Sequence, residues 1–334
     1  MLRISAGLPM VVPVPDQTTP PPEHSDLIDE RRRVDLAMRS DPGLTIADLL
    51  VPGTKPTFSF EFFPPRDGES AARLQRTIAD LEPLQPDFVS VTYGANGSSR
   101  ERTIAATRDI ARHTPFRIMG HLTCTGQTVD EIKAAIDSYA DVGITHIMAI
   151  RGDMPGGPGV PWEPVSGGLR NATELVELVA SRGSFCIGVA AFPDIHPSGS
   201  PELDAQILAD KALAGASFAI TQLFFEPERM DALVARVRAL GCAMPIIGGI
   251  MPVTAINQLA KFAELSGADL PAQMTTRLQA VADDPAAVRR EGLSIATEVC
   301  VALLRRGVPG LQFFTQNQSK ATREILAMLQ ELRW

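Results

Sequence analysis

The sharpest chemical feature of the chain is one carboxylate inside an aromatic run. Glu61 lies in Phe58-Ser59-Phe60-Glu61-Phe62-Phe63-Pro64-Pro65. A carboxyl group in an apolar pocket loses the solvation of its charged form. Its pKa then rises toward the range a general acid needs near neutral pH. A structural carboxylate paired with a cation such as Arg151 is the other reading of the same residue. Asp153 follows in Arg151-Gly152-Asp153-Met154-Pro155, where it can face a cation in a ligand or bond backbone amides of its own loop. His121 and His196 could join Asp153 around a metal. The chain has no H-x-H or H-E-x-x-H spacing, however, and hydrogen-bonding histidines are commoner than ligands, so no metal is expected. Thr92-Tyr93-Gly94-Ala95-Asn96-Gly97 can bring backbone N–H groups close to a phosphate or a flat ring.

Other chemistries lack their residues. The lysines are Lys55, Lys133, Lys211, Lys261 and Lys320, none within a candidate strand, which disfavours a Schiff-base enzyme. There is no G-x-S-x-G nucleophile and no G-x-G-x-x-G after a strand. Cys124, Cys186, Cys242 and Cys300 form no C-x-x-C pair, and we read them as small buried hydrophobes in a reducing compartment. The net charge of −8, from 31 basic and 39 acidic residues, argues against a nucleic-acid or anionic-membrane partner. No apolar run is long enough to span a bilayer. The protein reads as cytoplasmic, acting on a small molecule. Nothing in the sequence sets the oligomeric state, and a homo-oligomer is compatible with it.

A scaffold must hold these groups together, and the chain supplies a rhythm for one. Candidate strands fall at 57–63, 87–94, 116–124, 145–152, 185–192, 218–225, 244–251 and 311–317. Several are apolar on both faces, as parallel strands covered by helices are. Segments such as SAARLQRTIADLE, TVDEIKAAIDSYADVG and ATREILAMLQEL carry helical spacing between and after them. Gly143, Gly183, Gly215 and Gly241 mark helix ends, and Asp130 and Ser319 mark starts. The long interval between the last two strands holds two further helices. Eight strands alternating with helices predict an α/β fold of the (β/α)8 TIM-barrel class. In such barrels chemistry sits at the C-terminal ends of the strands. Glu61, Thr92, His121, Thr123, Arg151, Asp153, His196, Gln222, Thr315 and Asn317 all fall there, from seven of the strands. Residues 1–25 are proline-rich and aperiodic, predicting a disordered tail. Residues 26–334 form the barrel domain, with 26–52 as a helical extension packed outside it.

Seven motifs, SFEFFPPR, VSVTYGANGS-x-RERT, HLTC, RGDMP, VAAFPDIHP, AITQLFF and GIMPV, run in this order from about residue 57 to 253. Together they resemble the methylenetetrahydrofolate reductase family. The resemblance implies a barrel that reduces 5,10-methylenetetrahydrofolate to 5-methyltetrahydrofolate, with FAD as cofactor and NADH or NADPH as hydride donor. It places the general acid on Glu61, the pterin-binding aspartate on Asp153 and a pterin-binding glutamine on Gln222. Flavin contacts fall on Thr92, His121, Arg151, Gly152, Asp153, Ala190, His196, Asp204 and Lys211. Helical spacing alone makes Lys211 a solvated surface charge.

The chain also departs from the family pattern. The last strand, usually H-F-Y-T-L-N-R, reads Gln312-Phe313-Phe314-Thr315-Gln316-Asn317-Gln318, so Gln318 replaces an arginine on the substrate side. Gly248 stands where proline is common. The loop GGPGVPWEPVSGG after the fourth strand is elongated and carries Trp162, which either stacks on a cofactor or fills its space. Direct hydride transfer from the nicotinamide without flavin is the alternative route. A catalytically silent folate- or flavin-binding barrel is the remote one.

Overall fold

A computed structural model describes residues 41, 43–93, 100–155, 160–194, 196, 199–259, 261 and 270–332. Residues 1–40, the loop 94–97 and positions 156–159 of the elongated loop lie outside the described residues, so the expectations placed on them stay expectations. The chain divides at Pro42. Of the first unit only Asp41 is described, and the second, from Gly43, is the barrel.

Eight parallel strands close on themselves in sequence order. They are β1 (Thr57–Phe62), β2 (Phe88–Val91), β3 (Ile118–Thr123), β4 (His146–Ile150), β5 (Cys186–Ala191), β6 (Phe218–Thr221), β7 (Ile246–Ile250) and β8 (Gly310–Phe314). Seven fall inside segments expected from sequence, and β8 starts one residue before the expected 311–317. β8 returns to β1, pairing Glu61 with Phe314, while β2 pairs Glu61 with Ser90 on the other side. Strand alternation then sorts the side chains. Phe60 and Phe62 enter the large core between sheet and helices, leaving Ser59 and Glu61 on the lumen face.

A short helix, α1 (Ile46–Leu49), precedes β1. The helices that cover the outside include α2 (Gly68–Leu81), α3 (Arg100–His113), α4 (Val129–Asp141), α5 (Ala172–Arg182), α6 (Pro201–Leu213) and α7 (Pro227–Ala239). Between β7 and β8 lie α8 (Ala272–Gln279) and α9 (Pro285–Arg305), the two helices expected there, and α10 (Ser319–Leu332) follows β8. The cap of α4 is Thr128, which forms a capping box with Glu131, while Asp130 sits in the first turn. In α9, Gly292 meets the carbonyl of Val253, where any β-carbon would collide.

One expectation is corrected here. The segment TIADLL does not pack outside the barrel. Ile46 and Leu50 are buried against Phe88, Met119, Met148, Cys186, Phe218 and Ile247, which line the N-terminal half of the lumen. The amphipathic turn finds its apolar partner inside the floor because these large side chains leave a concave surface that water would otherwise wet. The Ile46 N–H donates to His146 Nε2 at 3.2 Å. Burial lowers the His146 pKa to about 4, which keeps the ring neutral and able to accept. The floor is plugged, so the polar face of the lumen opens only toward the C-terminal ends of the strands.

Candidate active site

Two clusters of polar side chains stand at that open end. The first surrounds Glu61, which is only 8% exposed. Its Oε2 accepts from Gln312 Nε2 at 3.3 Å. The same amide nitrogen donates to Ser90 Oγ at 3.0 Å, and Ser59 Oγ lies 3.0 Å from Gln312 Oε1. His121 Nε2 is 3.6 Å from Glu61 Oε2, buried and without a hydrogen-bond partner. Burial pushes the Glu61 pKa up to about 8, against a smaller opposing effect of the Gln312 N–H. Burial also pulls His121 down to about 3. Both groups are therefore mainly uncharged at pH 7, so Glu61 holds a proton that it can give away. The structural alternative for Glu61 is not what the geometry shows. Arg151 bonds the Gly152 carbonyl at 3.4 Å and lies over the Trp162 ring at 5.0 Å, and no arginine pairs with Glu61 among the described residues.

The second cluster lies across the mouth. Lys211 is on α6 and is 7% exposed, which corrects the expectation of a solvated surface charge. Its Nζ donates to the Ala190 carbonyl at 3.2 Å. Burial lowers its pKa to about 8, with Asp204 opposing and Arg151 reinforcing the shift. Asp204 Oδ2 accepts the His196 N–H at 2.9 Å, and burial raises its pKa. The His196 ring meets Phe192 edge-on, with centroids 4.8 Å apart. Burial lowers its pKa, and the charges of Arg151, Asp204, Asp153 and Lys211 all act on it. One electrostatic neighbourhood thus holds five of the residues expected from sequence.

Gly152 follows Arg151 beyond the end of β4. Its φ of +83° suits glycine, and a β-carbon there would stand 2.5 Å from Thr125 Oγ1. That turn carries exposed Asp153 past the end of β4. Thr92 is buried at the end of β2. Half-buried Gln222 follows β6, its Oε1 accepting from the Leu223 N–H at 2.9 Å. Thr315 and Asn317 serve the backbone instead. Thr315 donates to the Glu61 carbonyl at 2.6 Å, and Asn317 makes two 2.9 Å bonds to the main chain of Phe63. Sequence reasoning missed Ser59, Ser90 and Gln312. Their signal was a polar side chain on the lumen face of an otherwise apolar strand.

A family model described as methylenetetrahydrofolate reductase matches residues 46–330. The chain belongs to the methylenetetrahydrofolate reductase family. Its similarity to curated members of that family is substantial. It is 38% identical over 268 residues to the 5,10-methylenetetrahydrofolate reductase of Escherichia coli, covering 80% of this chain and 88% of that one. It is 34% identical to methylenetetrahydrofolate reductase 1 of Schizosaccharomyces pombe, covering 82% of this chain and 46% of that longer one. A solved structure of an uncharacterized Clostridium thermocellum protein that binds two copies of 5-methyl-5,6,7,8-tetrahydrofolic acid superposes with a TM-score of 0.62. That likeness covers 83% of this chain and 95% of that one at 13% identity, and it speaks for the barrel fold alone.

The donor set of this family member suits a flavin dinucleotide. Lys211 and Arg151 bring two cations to one side of the mouth, as a diphosphate requires, and the orphaned His121 Nε2 is available to a ring heteroatom. Among the described residues no group of histidines, cysteines and carboxylates could hold a metal.

Proposed function

We propose that this chain reduces 5,10-methylenetetrahydrofolate to 5-methyltetrahydrofolate with hydride from NADH or NADPH, and that FAD mediates the transfer. The observation that carries this reading is Glu61, a buried acid with its pKa raised to about 8 at the mouth of a barrel of this family. FAD, when bound, supplies a two-electron store between nicotinamide and folate. Lys211, Arg151, Thr92, His121, Gly152, Ala190, His196, Asp204 and Asp153 would hold it.

Glu61 gives its proton to N10 of the folate, so the imidazolidine ring opens and an iminium cation forms at N5. Asp153, on the turn after Gly152, sets its carboxyl against that cation, and Gln222 orients the pterin. Hydride at the methylene carbon then completes the methyl group. The plugged floor closes the end of the lumen opposite the mouth to bulk water, which would otherwise hydrolyse the iminium. We assign the product to methyl supply for methionine synthesis and the reaction to the cytoplasm. No described helix is long and apolar enough to cross a membrane.

A second reading keeps the reaction and omits flavin. Trp162 favours it, because its ring lies on the Arg151 guanidinium beside the residues assigned to the cofactor. The visible spectrum of the purified protein separates the two. A flavin band bleached by NADH or NADPH and restored by methylenetetrahydrofolate, with ping-pong kinetics, is the expected result. Folate-dependent NADH oxidation by a colourless protein without added FAD, through a ternary complex, would replace it with direct transfer. Glu61→Gln is expected to lower folate turnover about 10²–10⁴-fold while ligands still bind. Near-normal turnover would remove Glu61 from the role of acid.

A further inference from the structure

On the lumen wall of β8, the side-chain amide of Gln312 has both ends engaged. One nitrogen serves Ser90 Oγ at 3.0 Å and Glu61 Oε2 at 3.3 Å, while Ser59 Oγ stands 3.0 Å from the amide oxygen. Four side chains from three adjacent strands are thereby locked into one arrangement, and Gln312 is fully buried. A primary amide has two N–H groups and one strong acceptor, and here the nitrogen faces Ser90 and Glu61 while the carbonyl faces Ser59.

We propose that Gln312 is a positioning residue that sets both the rotamer and the proton affinity of Glu61. This rests on the reading of Glu61 as the acid. The donated N–H favours the carboxylate left after proton transfer, and so it limits how far burial can raise the acid. It also occupies Oε2, leaving Oε1 as the oxygen free to present the proton. The groups facing Glu61 from the neighbouring strands are few. β2 offers Ser90 and β8 offers Gln312, neither of them titratable. β3 offers His121, which burial keeps neutral above pH about 3. Removing the amide should therefore act on the acid itself.

The test is a pH titration of the carboxylic-acid C=O stretch by infrared difference spectroscopy, with the Glu61 band assigned by its loss in Glu61→Gln. In the wild type the band should titrate near pH 8. In Gln312→Met, which keeps the volume and loses the donor, the midpoint should rise by about one unit, and kcat should fall about tenfold with KM little changed. Ser59→Ala removes the hydroxyl that meets the amide carbonyl while deleting one oxygen atom, and its midpoint should rise in the same direction by less. Midpoints unmoved in both variants would overturn the proposal even if kcat fell, because that loss would then be one of packing. A wild-type Glu61 band that titrates near the ordinary carboxylate range would instead overturn the reading of Glu61 as a general acid, so the two failures are distinguishable.

Discussion

His121 Nε2 stands 3.6 Å from Glu61 Oε2, with both side chains buried and no hydrogen bond between them. An acid and a base this close would ordinarily form an ion pair. Burial opposes the charged form of each, raising Glu61 to about 8 and lowering His121 to about 3. The result at neutral pH is two uncharged groups side by side, one with a proton to give and the other with a nitrogen to offer a ligand.

That arrangement costs stability, and the sign can be worked out. The unfolded chain releases the Glu61 proton near pH 4.5, while the folded protein keeps it to about pH 8. The stability present below pH 4.5 is therefore lost progressively as pH rises toward 8. Glu61→Gln removes the dependence, so at pH 7 it should stabilise the fold by on the order of 2 kcal/mol. Thermal unfolding should show a Tm raised by roughly 4 °C. A Tm equal to or below that of the wild type at pH 7 would contradict the raised pKa. His121 runs the other way, since its folded pKa of about 3 lies below the ordinary 6.5. Its contribution is lost as pH falls from 6.5 toward 3.

Lys211 should show the same opposition between fold and ligand. Its charge is buried and its pKa is lowered to about 8, so below pH 8 the folded protein bears the cost of a desolvated ammonium. Lys211→Met should leave the unliganded protein as stable as the wild type or more so. FAD affinity should fall about 10–100-fold at pH 7, as loss of a charge-assisted contact to phosphate requires. Flavin fluorescence titration across pH 6 to 9 measures this. Wild-type affinity should weaken above pH 8 and that of the variant should stay level.

Gly152→Ala places a β-carbon 2.5 Å from Thr125 Oγ1 on a backbone with φ of +83°. The expected cost is about 1–3 kcal/mol, seen as a lower urea midpoint. Ligand binding should also weaken, because the turn that carries Asp153 must move.

Ile46→Ala tests the plug. Ile46 is fully buried in the floor, and truncation should cost about 2–5 kcal/mol. Its side chain lies at the end of the lumen opposite Glu61, so kcat of the folded enzyme should be unchanged. A large fall in kcat at a temperature where the variant is folded would show that floor and mouth are coupled.

Much of this architecture is legible in the residues, for physical reasons. Strands covered on both faces are near-continuous apolar runs, so all eight stand out. Glu61 stands out because a charge among phenylalanines has few structural explanations. Gln312, Ser59 and Ser90 do not, since a polar residue in a strand acquires meaning only once barrel closure decides which face it shares with Glu61. Lys211 misleads because helical periodicity marks a polar face without saying what lies against it. Here that face meets Ala190 at the end of β5. TIADLL misleads for the converse reason, as an apolar stripe does not reveal whether its partner is the outside of the barrel or its floor.

The pairing of β1 with β8 has a consequence for how the protein comes to life on the ribosome. Glu61 and Gln312 are 251 positions apart, and the seam that joins them is the last to be synthesised. Until β8 has emerged, the lumen lies open along one side and Glu61 faces water, where it is an ordinary ionised carboxylate. A nascent or truncated chain can therefore hold most of its strands and still have no usable acid. Catalytic competence should arrive in a single late step, and proton affinity at Glu61 would report the completion of folding.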